Sequence, residues 1–305
     1  MIHIGTRASP LAQWQANWVA EQLRAGGVDV ELVPITTAGD RDQQGPIGAI
    51  GTSGVFTKEL QRALLDGRID LAVHSLKDLP TENVAGLLLA AVPTRESPSD
   101  ALLSRGRLPL AELPPAAKVG TGSLRRQSQL LHARPDLQVS EIRGNVETRV
   151  RKLHEGEYDA LVLAEAGLKR LGLEAEIVEI LPKSLMLPAI GQGALGLETR
   201  ADDPPTLAAV ARLDDEVTHA AVLAERSLLA TLRGGCLAPV GAWGRVEQDG
   251  NLRLTATVLS RDGRQRLIAE GAEPTAMAVE LGRRIGEELL AQGAATLIAL
   301  SRAAL

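Results

Sequence analysis

Apolar positions along the first two thirds of the chain follow two alternating rhythms. Short runs rich in Val, Ile, Leu and Ala predict strands over Val28–Ile35, Ile69–Val73, Leu87–Val92, Leu137–Ile142 and Tyr158–Ala164. Between them, apolar residues recur at helical spacing over Leu11–Arg24, Val55–Leu65, Leu124–Ala133 and Val146–His154. Gly26-Gly27, Gly67 and Gly156 close three of these stretches, as expected of the residue that adopts a left-handed turn most easily. Met1–Arg7 reads as a first strand. Strands alternating with helices predict βαβ units, with helices on both faces of each sheet.

The rhythm changes after Pro93–Asp100 and again after Met186–Thr199, two candidate linkers. Ala201–Pro205 precedes a helix, and Glu216–Leu232 is a long helical pattern of its own. Beyond Gly241 the chain predicts strands at Leu252–Ser260 and Arg266–Ala269, then a helix at Ala276–Leu290. That order describes a small separate α+β domain. Gly5-Thr6-Arg7-Ala8-Ser9 and Gly120-Thr121-Gly122-Ser123 echo one another, each following a strand and opening a helix rich in Leu and Gln. Two similar α/β domains facing each other would account for the echo.

Composition narrows the function classes. Only 2% of the 305 residues are aromatic, which leaves few rings on which to stack the bases of a single-stranded nucleic acid. A net charge of −5 argues against a general polyanion binder, so no nucleic-acid partner is expected. No apolar run approaches the roughly 20 residues that span a bilayer, so no membrane partner is expected. The amino terminus lacks a basic stretch followed by an apolar one, and a cytoplasmic protein is the simplest expectation.

Basic residues are nonetheless concentrated. Lys118 to Arg151 holds seven Lys or Arg against three acids. Ser123 stands where a helix should begin, with Arg125 and Arg126 just after it, so free backbone N–H groups and two guanidinium forks converge there. Arg143-Gly144-Asn145 repeats the strand, turn and helix start, and Arg7 with Ser9 forms another copy. Any one of these arginines fits a solvated basic face; three such turns together favour a small polyanion held in a cleft between two α/β domains.

His74-Ser75-Leu76-Lys77-Asp78-Leu79-Pro80 follows an apolar strand, at the end where α/β proteins place ligands. Lys77 beside Asp78 fits a surface ion pair, or a proton donor and counter-ion for a cationic intermediate. His74 has no second His or Cys at ligand spacing, and no metal site is expected. Gly191-Gln192-Gly193-Ala194-Leu195-Gly196 matches the dinucleotide fingerprint in letters only. Pro188 precedes it and an extended stretch follows, so its glycines are read as a hinge. Cys236 is the single cysteine, which excludes an intrachain disulfide or a Cys-x-x-Cys pair. Gly234 and Gly235 before it and Pro239 after it suit a thiol presented on a tight turn, or a small buried apolar side chain.

Together these segments resemble one family over essentially the whole chain, porphobilinogen deaminase, also called hydroxymethylbilane synthase. The resemblance rests on Thr6–Ala12, Phe56–Leu60, Ala72–Pro80, Gly120–Gln127, Arg143–Val146, Ala166–Leu171, Ala189–Gly196 and Gly234–Cys236. It implies two domains like the halves of a periplasmic binding protein, residues 1–94 with 193–212 and residues 98–188. A third, residues 216–305, would carry the cysteine. It further implies a dipyrromethane cofactor joined by a thioether to Cys236, onto which four porphobilinogen molecules condense head to tail. Ammonia would leave at each step, and hydrolysis would free hydroxymethylbilane. Asp78 would stabilise the cationic azafulvene left by deamination. By residue-wise match, Arg7, Ser9, Lys58, Ser75, Lys77, Thr121, Ser123, Arg125, Arg126, Arg143, Gly144, Arg149 and Arg170 would bind cofactor and substrate carboxylates. Gln192 and Gly193 would line the hinge side of the cleft. A monomer is expected.

Three positions depart from the family pattern. Thr52-Ser53-Gly54 lacks a lysine common in that loop, and Glu147 and Glu165 stand where smaller or neutral residues are usual. None removes a predicted catalytic group. Two rival readings are a two-lobed anion binder, which would leave Asp78 and Cys236 unexplained, and a thiol enzyme, which would need a base near Cys236. His219, 17 residues upstream, is too far in sequence to form a local pair.

Overall fold

The computed structural model describes residues 1–36, 57–235 and 238–303. Cys236, the Thr52-Ser53-Gly54 loop, Phe56 and the first two residues of the helix expected at Val55–Leu65 lie outside the described residues. The described chain divides into two compact units, Met1–Glu96 with Ala194–His219, and Ser97–Gly193 with Ala220–Leu305.

The first unit is built on a five-stranded mixed sheet ordered β2-β1-β3-β10-β4. Its strands are β1 (Ile2–Thr6), β2 (Val30–Pro34), β3 (Leu71–Ser75), β4 (Leu87–Ala91) and β10 (Leu195–Arg200). β1 runs parallel to β2 and β3, whereas β10 is antiparallel to β3 and β4. Helix α1 (Pro10–Ala25) covers one face, packing Val19 and Leu23 over Ile4, Leu71 and Val73. Helix α2 (Lys58–Leu65) covers the other, with Leu60 and Leu64 on Ile69 and Ala72. The unit also holds α6 (Pro204–Ala211).

The second unit repeats the scheme as β7-β6-β8-β5-β9. These strands are β5 (Asp100–Ser104), β6 (Lys118–Gly120), β7 (Gln138–Ser140), β8 (Ala160–Ala164) and β9 (Glu179–Ile180). β6 is parallel to β7 and β8, and β5 antiparallel to β8 and β9. Helices α3 (Leu124–Ala133), α4 (Val146–His154) and α5 (Glu165–Arg170) flank the sheet. Leu130 lies in the core on one face, and Val150 with Leu168 in the core on the other. The same unit contains a three-stranded antiparallel sheet, β11 (Val240–Val246), β12 (Asn251–Leu259) and β13 (Arg266–Pro274). Helices α7 (Glu216–Leu232), α8 (Ala278–Ala291) and α9 (Ala294–Ala303) contribute Leu228, Ile285 and Leu297 to its separate core. The fold class is therefore the expected one: two α/β sheet layers and a small α+β part.

The alternation of strands and helices matches the apolar rhythm, with shifts at the edges. The strand expected at Ile69–Val73 runs instead from Leu71 to Ser75, which puts His74 and Ser75 on the strand itself. The strand expected from Val28 starts at Val30, because the N–H of Val28 bonds back to Leu23 and completes the end of α1. β13 continues to Pro274, five residues past the expected end. β5 was not among the expected strands; the linker candidate Pro93–Asp100 ends on its first residue. All five of its residues are buried, Leu102 in one core and Leu103 in the other, so it shows no polar alternation. Leu195–Arg200 is a strand, so no helix opens at the Gly191 fingerprint. No helix among the described residues is long and apolar enough to cross a membrane.

Candidate active site

In the first unit the chemistry collects at the carboxyl ends of β1 and β3, adjacent parallel strands. Arg7 and Ser9 leave β1 directly into α1. Ser9 caps that helix, its hydroxyl accepting the N–H of Ala12 at 3.4 Å, and Pro10 occupies the first turn, where no N–H is missed. Ser75 ends β3, and a single 3₁₀ turn, Leu76–Asp78, follows. A pocket opens here, and Arg7, Ser9, Ser75 and Asp78 all line it. The structure thus brings four of the expected residues together. Lys77 is half-buried on the same turn, and Lys58 is exposed in the first turn of α2.

Three further pocket residues were not among the expected site residues. Gln15 is 2% exposed; its amide donates to Ser75 Oγ at 2.8 Å and accepts the Ser75 hydroxyl at 3.1 Å. A signal was present: Gln15, Val19 and Leu23 fall on one buried stripe of α1, and a polar residue on such a stripe needs a partner. Thr57 is buried, and its hydroxyl has no hydrogen-bond partner among the described residues. His74 is buried with its Nε2 2.9 Å from Glu198, which also accepts from Gln61 at 3.0 Å. Glu198 comes from β10, more than a hundred residues away, so no local pattern marks the pair.

In the second unit the same strand ends carry the basic residues. Thr121 follows β6, and its hydroxyl accepts the Ser123 N–H at 3.2 Å. Ser123 is the residue before α3, yet its side chain makes no capping bond. Gly144 adopts φ +107°, and a Cβ there would come within 2.8 Å of Thr148. Asn145 then caps α4 by accepting from Thr148 at 2.8 Å. Arg143 pairs with Glu141 at 2.5 Å, and Arg149 donates to the Gly144 carbonyl at 2.8 Å. Arg170, in the last turn of α5, donates to the Gly193 carbonyl at 2.7 Å.

Arg125 and Arg126 lie deeper, 3% and 6% exposed, on Asp100 at the start of β5. Burial by itself would raise the Asp100 carboxyl, but the two guanidiniums outweigh it and hold the group well below the usual carboxylate range. Burial lowers Arg126 in turn, with Asp100 opposing the shift. Gln192 donates to Asp100 at 3.0 Å and to the Pro98 carbonyl at 2.8 Å. Sequence reasoning missed Asp100, which reads there as an ordinary linker end.

Of the departures, Glu147 sits exposed in the first turn of α4, where a carboxylate suits the helix dipole. Glu165 is buried, accepts from the Ser97 hydroxyl and pairs with Lys169 at 2.9 Å. The chain just before Cys236 bends sharply, with Arg233 at φ +49° and Gly235 at φ +63°. No group of His, Cys, Asp and Glu among the described residues could hold a metal ion.

Residues 2–208 match the family model described as porphobilinogen deaminase, dipyromethane cofactor binding domain, and residues 219–291 match its C-terminal domain. The chain belongs to the porphobilinogen deaminase family. A porphobilinogen deaminase of Desulforudis audaxviator is 51% identical over 302 residues, covering 98% of this chain and 97% of that protein. The one from Trichlorobacter lovleyi is 50% identical over 294 residues, covering 96% and 94%. That of Brevibacillus brevis is 48% identical over 300 residues, covering 97% and 96%. Among solved structures, a methionine-bound nutrient-binding protein from Burkholderia cenocepacia aligns at 17% identity with a TM-score of 0.44, covering 69% of this chain and 90% of that one. For a porphobilinogen deaminase the donor set is apt. Arginines and serines at helix starts fit a dipyrromethane carrying acetate and propionate arms, and Arg125 Nε is buried without an acceptor, a donor such an arm would satisfy.

Proposed function

We propose that the strand-end residues of the two units divide the deaminase reaction between them, those of the first unit serving the chemistry and those of the second holding carboxylates. The enzyme is a transferase of tetrapyrrole biosynthesis. It condenses four porphobilinogen molecules head to tail, releases ammonia at each step, and hydrolyses the product to hydroxymethylbilane. The dipyrromethane cofactor, when bound, supplies a primer whose terminal pyrrole carbon accepts the next unit. Its attachment to Cys236 rests on the Gly234-Gly235-Cys236 motif.

Asp78 is read as the catalytic residue. A carboxyl group at the pocket wall can pass its proton to the leaving amine and then, as the carboxylate, face the cation that deamination leaves on the substrate. Arg7 and Ser9, on the same wall, are read as holding a substrate carboxylate at the start of α1. Ser75, kept in one orientation by Gln15, and Lys77 and Lys58 add polar contacts. Thr121, Ser123, Arg125, Arg126, Arg143, Gly144, Arg149 and Arg170 are read as carboxylate ligands for the pyrrole chain. Each added pyrrole brings two acid arms, which is why a small-molecule enzyme carries so many guanidiniums. Gln192 and Gly193 are read as the hinge side of the site.

The observation that carries this reading is the pocket where Arg7, Ser9 and Asp78 meet at the ends of β1 and β3. The three separate sheets support a division into domains 1–94 with 193–212, 98–188 and 216–305. The reading also takes the enzyme to be a cytoplasmic monomer without nucleic-acid or membrane partners; sedimentation at working concentration checks the monomer. Intact mass tests the tether. Wild type should carry two porphobilinogen units less two ammonias, and Cys236→Ser should carry none. An unmodified wild type that also fails to load when given porphobilinogen would sink the assignment.

A further inference from the structure

Asp100 is the fully buried first residue of β5, and it faces two positive side chains. Arg125 reaches its two oxygens through Nη1 at 2.7 Å and Nη2 at 3.2 Å, an end-on fork. Arg126 reaches the same carboxylate through Nε at 2.8 Å. Their remaining contacts are neutral: Arg125 Nη1 to the Leu187 carbonyl at 2.6 Å, Arg126 Nη1 to the Val162 carbonyl at 3.0 Å, and Arg126 Nη2 to Gln192 Oε1 at 3.4 Å. Among the described residues neither guanidinium has a second carboxylate within ion-pair distance. Two buried cations therefore share one anion, and one positive charge is left over.

An unmatched buried charge is costly unless something neutralises it. Arg125 Nε, buried and without an acceptor among the described residues, is a donor still to be satisfied. We propose that Asp100 is a positioning residue, which fixes Arg125 and Arg126 in one arrangement whose single surplus charge is matched to one carboxylate of the pyrrole chain. The inference rests on the reading of those two arginines as carboxylate ligands, and it adds the group that aims them. Without Asp100 the two guanidiniums would repel each other and swing towards separate carbonyls or solvent, so their spacing would no longer fit a carboxylate. Gln192 holds the aspartate in turn, since its amide bridges Asp100 Oδ1 and the Pro98 carbonyl.

The test compares wild-type and Asp100→Asn holoenzyme, following ammonia release across a porphobilinogen titration, with intact mass and thermal unfolding on the same samples. Losing the aim of charged ligand groups should raise KM by about 10-fold or more while kcat falls by less than about 3-fold. A folded variant that no longer loads its primer supports the proposal equally. A merely structural Asp100 would lower Tm and the active fraction yet leave KM within about 2-fold of wild type, and that result overturns the proposal. Should Asp100→Asn fail to fold, Asp100→Glu carries the comparison, because it keeps the charge and moves the carboxylate by one methylene; an unchanged KM there is equally fatal. In a cycle with Arg126→Gln, the double variant should be little worse than the poorer single one, since Asp100 acts through the arginines, whereas fully additive losses reject that route. If wild type releases no ammonia from porphobilinogen, the deaminase reading fails first; normal wild-type turnover with an unchanged variant KM fails the inference alone.

Discussion

The two five-stranded sheets have the same strand order, with β1 corresponding to β6, β3 to β8 and β10 to β5, yet the turns leaving corresponding strands treat charge differently. After β1, Arg7 stays half-buried on the wall of an open pocket. After β6, Arg125 and Arg126 are drawn inside and bound to Asp100. The carboxylates behave in the opposite sense. After β3, Asp78 faces the pocket, whereas after β8, Glu165 is tied to Lys169 and Ser97. Topology decides where these polar groups stand; the local charge balance decides whether such a group stays at a pocket wall or is held in a buried ion-paired frame.

The largest effect should come from breaking that contrast at the carboxylates. Asp78→Ala should lower kcat by about 10²- to 10⁴-fold with little change in Tm. Glu165→Ala, at the corresponding strand end, should keep most activity. Ammonia release measures both, and equal losses would show that the two strand ends are not functionally distinct.

The arginines come next. Arg126→Gln strips buried hydrogen bonds from Asp100 and the Val162 carbonyl while Arg125 still neutralises the carboxylate, and should cost about 1–3 kcal/mol in urea unfolding. Arg7→Gln should cost less than about 1 kcal/mol, because the side chain is only half-buried, while raising KM for porphobilinogen. A large stability loss at Arg7 would place it in a structural frame too. Gly144→Ala sharpens the picture of the second unit. At φ +107°, and with Thr148 in the way, it should destabilise by about 1–3 kcal/mol.

The smallest effect concerns pH. The Asp100 carboxyl lies below its unfolded value in the folded protein, so it contributes stability above the ordinary carboxylate range and loses it as pH falls towards the folded-state value. The stability gap between wild type and Asp100→Asn should therefore stay level from about pH 8 to about pH 6 and close only on strong acidification. A gap that closes near neutrality would mean Asp100 is not held ionised by its two arginines.

Much of the fold was legible in the chain because apolar periodicity reports directly which side of a local element is buried. α3 and α4 have the expected ends, and the echo between Gly5–Ser9 and Gly120–Ser123 marks the corresponding strands of two sheets with the same order. The motif residues Arg7, Ser9, Ser75 and Asp78 were visible as well, since strand-to-helix turns place polar groups at sheet ends by local geometry alone. β5 was not, because burial on both faces erases the alternation that identifies a strand. Nor were Asp100 beneath Arg125 and Arg126, or Glu198 beside His74. By itself the sequence determined most of the elements, the family and the residue types offered for chemistry. Only the tertiary structure decided which charges were paired, because ion pairing and desolvation depend on distances between residues that the chain separates by 25 positions or by 124.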